Sequence, residues 1–137
     1  MLRELSMQVS KKVLKIAKWI FGIVLGILLI IYLGASILIG WGLKDISQTA
    51  KNRFDGDRVE ALIALVDCKT CMMEDRNHAV WALGQLRDKR ALPILHKYCN
   101  GGPCSHTYMI CQYELEKAIR WTEGNSFMLP QLWRLAL

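Results

Sequence analysis

The sequence predicts an all-α chain, with a single N-terminal transmembrane helix followed by a short α-solenoid of paired helices. Three observations predict it. Residues Trp19 to Leu43 carry no charged side chain, the apolar residues beyond them recur at helical spacing, and that later pattern returns after thirty residues. With 137 residues and a hydrophobic content of 53%, the chain has room for one small domain and more apolar character than a wholly soluble protein of this size needs.

Residues 1–18 form a basic amphipathic flank. Arg3, Lys11, Lys12, Lys15 and Lys18 face a single acid, Glu4, while Leu2, Leu5, Val9, Val13 and Ile16 fall on one side of a helix. These lysines set topology, and the same face suits an anionic leaflet. The formal net charge of +6 therefore calls for no nucleic-acid partner, because five of the basic residues sit in this flank and the others are mixed with acids.

Residues 19–43 exceed the roughly 20 apolar residues a helix needs to cross a bilayer core. Trp19 and Trp41 lie about 33 Å apart at a rise of about 1.5 Å per residue, which matches two interfacial belts. The run is too long for a cleaved signal peptide and no small-x-small cleavage pattern follows it closely, so it reads as an uncleaved signal anchor. The Lys/Arg bias favours a cytoplasmic N-terminus and an extracytoplasmic C-terminal domain. Gly22 and Gly26 make a G-x-x-x-G that would let another helix approach.

A polar linker is expected at 44–56 and a helical domain at 57–137. Asp57 is placed to cap a helix with Glu60 as its capping-box partner, and Val59, Leu62, Ile63 and Val66 follow at helical spacing. A second helix is expected from about Asp75 to Leu86, a third through Ala91, Leu92, Leu95 and Tyr98, and a fourth from near Ser105 to Trp121. Glu60-Ala-Leu-Ile-Ala-Leu65 returns as Arg90-Ala-Leu-Pro-Ile-Leu95, and Leu129-Pro130-Gln131-Leu132 repeats the L-P-x-L part. Ala82-Leu83 corresponds to Ala118-Ile119 in the partner helices.

The stretch Arg76 to Leu95, with A-L-G-x-L ending one helix and A-L-P-x-L opening the next, resembles the HEAT-like repeats of the phycobilisome-lyase type. The resemblance covers about eighty residues, Asp57 to Leu137, and implies stacked helix pairs with an adaptor or scaffold role. Two pairs and part of a third are close to the minimum for independent stability, which points to docking on a protein partner, on the membrane or on another copy. A lyase activity, also carried by that family, has no local support in these residues.

Five cysteines, Cys68, Cys71, Cys99, Cys104 and Cys111, all fall beyond the apolar run. In an extracytoplasmic domain they are disulfide candidates whose connectivity the spacing leaves open, and one must stay unpaired within a monomer. In a reducing compartment Cys99, Cys104, His106 and Cys111 become candidate zinc ligands. There is no Gly-rich phosphate loop, G-x-S-x-G or H-E-x-x-H, so no catalytic residue and no cofactor are expected. The C-terminal segment holds Trp121, Phe127, Trp133 and Arg134, candidates for closing the core or for contacting a partner. The reading that follows is a membrane-anchored protein-interaction adaptor. Its alternatives are an accessory subunit of a membrane complex and a redox or zinc module.

Overall fold

The structure is a computed structural model that describes residues 2–104 and 108–124, with side chains described from residue 13 onward. Among the described residues every regular element is helical: α1 Leu2–Arg53, α2 Arg58–Asp67, α3 Met73–Leu86, a 3-10 turn Lys89–Ala91, α4 Leu92–Tyr98 and α5 Gln112–Thr122. The chain divides into two compact units, Met1–Leu38 and Ile39–Leu137, so the boundary falls inside α1.

The first unit is helix alone. It belongs to a helix long and apolar enough to cross a membrane. From residue 13 onward its large apolar side chains are mostly exposed, with Trp19 76%, Phe21 70% and Ile30 71% exposed. A Cβ added at Gly22, Gly26 or Gly34 would meet nothing within 4 Å.

The second unit begins earlier than the sequence suggests. The polar stretch expected as a linker at 44–56 is helical through Arg53, and Leu43, Ile46, Ser47 and Ala50 are buried in the unit's core. The spacing of three and four residues is that of one helical face, hidden in the sequence among Lys44, Asp45 and Lys51. The last turn of the apolar run therefore serves this core, since Leu43 is fully buried.

Local chemistry accounts for the remaining boundaries. At the start of α2 the expected capping box forms: the Glu60 amide donates to Asp57 Oδ1 at 2.9 Å, and the Asp57 amide donates to Glu60 Oε2 at 3.0 Å. Gly56 precedes it at φ +109°, where an added Cβ would lie 2.6 Å from Glu60 Oε2. Helix α3 ends at Arg87, whose left-handed φ of 53° lets its amide donate to the Leu83 carbonyl. Asp88 then caps the 3-10 turn, and Pro93 sits in the first turn of α4, where its missing N–H costs nothing.

Helix α5 starts at Gln112 rather than near Ser105. Residues 105–107 lie outside the described residues, and 108–111 are not helical. Side chains from other positions hold this approach. The Cys111 amide donates to Asn77 Oδ1 at 2.8 Å, and buried Gln112 donates to the Tyr98 and Ile110 carbonyls while accepting from the Asn100 amide.

In the core, α3 packs against α2 on one side and α5 on the other, and α5 also meets α4. The positions that repeat in the sequence are largely the buried ones: Ala61, Leu62 and Leu65 in α2, Ala91 and Leu95 around α4, Ala82 and Leu83 in α3, Ala118 and Ile119 in α5. Gly84 makes the closest approach, because an added Cβ would stand 2.9 Å from both Cα and Cβ of Ala118. The third copy of the pattern, at 129–132, lies outside the described residues.

Candidate functional site

Among the described residues the second unit carries a cavity of about 730 Å³, lined by Gly42, Asp45 and Ile46 of α1, Glu74, Asn77, His78 and Trp81 of α3, and Glu114 of α5. Its floor is apolar, since Ile46 is buried and Trp81, half-buried, lies beside Gly42. Its rim carries the carboxylates of Asp45, Glu74 and Glu114, of which Glu114 also faces Lys117 at 3.5 Å. A lining that combines a tryptophan with three carboxylates is chemically suited to a side chain with an apolar stem and a cationic head. Sequence reasoning missed this place. Trp81 sits inside the repeat motif, where a tryptophan reads as core, and Asp45 sits in the expected linker.

Two surface networks tie α2 to the 3-10 turn and α4. At one end Arg90 donates to Asp57 at 2.7 Å and to both carboxylate oxygens of Asp88. At the other, Tyr98 Oη donates to Asp67 at 2.7 Å, and Lys97 donates to the same oxygen. The Asp57 carboxyl is held below its ordinary range first by the Glu60 amide and then by Arg90. Lys97 and then Tyr98 hold Asp67 down, and Arg90 holds Asp88 down. The Tyr98 phenol is pushed up by its bond to Asp67. Buried Arg76 completes this end, with Nε 2.9 Å from the Val66 carbonyl and its guanidinium 5.3 Å from the centre of the Tyr98 ring.

The cysteines fall into two places. Cys68 and Cys71, in the turn between α2 and α3, stand at disulfide distance, with sulfurs 2.04 Å apart. Cys99 is half-buried, while Cys104 and Cys111 bring their sulfurs to 2.6 Å between α4 and α5. Among the described residues no three His, Cys, Asp or Glu side chains are grouped to hold a metal ion, and the candidate ligand His106 lies outside those residues. Trp121 is half-buried, with the Lys117 ammonium 4.7 Å from the ring centre. Phe127, Trp133 and Arg134 lie outside the described residues.

The chain matches no curated protein and no solved structure. Residues 75–101, which span nearly all of α3, the 3-10 turn and α4, match the family described as PBS lyase HEAT-like repeat.

Proposed function

We propose that this chain is a single-pass membrane protein whose helical unit acts as an adaptor, holding a partner protein through the Trp81 cavity. The observation that carries the reading is a bare apolar helix joined to a compact unit that matches a HEAT-like repeat and has an open cavity. From Trp19 to Leu38 the chain has twenty residues, about 30 Å of helix, which is the thickness of a bilayer's hydrocarbon core.

The occupant is a partner segment bearing arginine or lysine beside apolar residues. Charge complementarity to Asp45, Glu74 and Glu114 selects it, and Trp81 offers its ring to the stem and the cation. The chain's own basic flank is not that occupant, because a span at 19–38 puts the two on opposite sides of the bilayer. With the domain extracytoplasmic, as the Lys/Arg bias favours, the Cys68–Cys71 pair would stay oxidised, since disulfides persist in oxidising compartments.

The test has two parts. In carbonate-washed membranes the full chain stays in the pellet, and after reduction exposed Cys104 reacts with an impermeant maleimide on intact cells. In mild detergent the chain binds a short arginine-leucine peptide, and Trp81→Ala weakens it by at least about tenfold, roughly 1.4 kcal/mol. A glutamate-leucine peptide that binds equally well would sink the cavity reading, and release by carbonate would sink the anchor.

A further inference from the structure

Cys104 and Cys111 play no part in the cavity proposal, yet their arrangement is asymmetric in a way that chemistry can use. Cys111 is the N-cap of α5 and is 3% exposed, and its position is fixed by the bond from its amide to Asn77. Cys104 is exposed in the loop before it. The two sulfurs lie 2.6 Å apart, and Cys104 Sγ also accepts the Tyr113 amide at 3.2 Å. One thiol is thus open to solvent and accepts a bond from the first turn of a helix, while its neighbour is buried against it.

We infer that Cys104 and Cys111 form a thiol–disulfide exchange pair whose oxidant is a small-molecule disulfide, with Cys104 as the attacking sulfur and Cys111 as the resolving one. In the first step the Cys104 thiolate attacks one sulfur of the oxidant, R–S–S–R, making a mixed disulfide and expelling RS⁻, which takes up the proton that Cys104 released. In the second the Cys111 thiolate attacks Cys104 Sγ, the Cys104–Cys111 bond forms, and the second RS⁻ leaves and is protonated by the proton from Cys111. Two cysteine thiols are oxidised to one disulfide and one R–S–S–R is reduced to two RSH.

The surroundings sort the two roles. The contact with Cys111 and the Tyr113 amide hold the Cys104 thiol below its ordinary range, which raises the thiolate fraction of the accessible sulfur. Burial pushes the Cys111 thiol up, so it stays protonated and inert until Cys104 has been loaded. The two sulfurs meet at the α5 N-terminus, where the Cys111 amide bonds the cavity residue Asn77.

The experiment uses the full chain in mild detergent, equilibrated with reduced and oxidised glutathione, then alkylated and mapped by mass spectrometry. The wild-type chain gains a Cys104–Cys111 disulfide without a lasting glutathione adduct. Cys111→Ser traps glutathione on Cys104, at least about tenfold faster than Cys104→Ser acquires it on Cys111, because the buried thiol is poorly accessible. Three results would each overturn the assignment: Cys104 linked to Cys99, equal adduct rates at the two positions, or both thiols still free where Cys68 and Cys71 are oxidised. The wild-type mapping needs no variant, so a folding defect in Cys111→Ser leaves the inference open to refutation.

Discussion

Arg90 Nη1 lies 2.7 Å from Asp57 Oδ2, across thirty-three residues of sequence, and so links the start of one helix pair to the start of the next. Asp57 caps α2 with its other oxygen, and Arg90 carries Asp88, the cap of the 3-10 turn, on the same guanidinium. One charged cluster therefore fixes two helix starts and the distance between them.

Acid should undo this cluster and its counterpart at Asp67. The carboxyls of Asp57, Asp67 and Asp88 all titrate below the ordinary value of 3.8 in the folded chain. As pH falls the unfolded chain takes up these protons first, so stability is complete above the ordinary value and declines as pH drops through the folded values. Thermal midpoints in detergent are expected to be flat from neutral pH to about 5 and to fall below 4. Replacing the three aspartates by asparagine should lower the neutral plateau and flatten the acid limb.

Gly84 should resist enlargement. A methyl there gains helix propensity, but it would sit 2.9 Å from the Cα of Ala118, a backbone atom no rotamer can move aside. Gly84→Ala is expected to cost about 1–3 kcal/mol, as overpacking of a core does. Adding Ala118→Gly should recover part of the loss despite its own helix penalty. A cycle of the four melts in which the two changes simply add would show that the contact is looser than described.

Arg76→Met keeps an apolar stem and removes the donor to Val66. The buried carbonyl then lacks its charged partner, at a cost of about 1.5–3 kcal/mol. For a unit of this size that is a drop of about 4–8 °C in midpoint per kcal/mol. A midpoint within a degree of wild type would mean that the carbonyl finds a replacement.

The exposed glycines of α1 test the rival in which the span packs against other membrane helices. Gly22→Ile with Gly26→Ile should leave the melting of the second unit unchanged, because an added Cβ meets nothing there. If the span pairs with another helix, the double variant should lose association in mild detergent. Unchanged association would remove the G-x-x-x-G as a packing surface.

Much of the helical layout was legible because it rests on local signals. The Asp57–Glu60 capping box and the repeat of Ala61, Leu62 and Leu65 at Ala91, Leu92 and Leu95 follow from spacing and residue type. The domain boundary was not, because Leu43, Ile46 and Ala50 are separated by polar residues and read as a linker until the faces of a helix are drawn. The cavity was hidden for a related reason: its residues come from α1, α3 and α5, and only their packing brings Trp81 into one lining with Asp45, Glu74 and Glu114. Cys104 and Cys111 were named only among five disulfide candidates, because their sulfurs meet through folding, where Asn77 from a different helix holds the Cys111 backbone.

The two ties between α2 and the following pair have a mechanical meaning. A single link, at Asp57 and Arg90 alone, would act as a pivot about which the neighbouring helices swing. With a second link from Asp67 to Tyr98 and Lys97 at the opposite end, α2 is held to the following turn and helix at two points, so turning about one contact is opposed by the other. A rotation about either link would have to break the other.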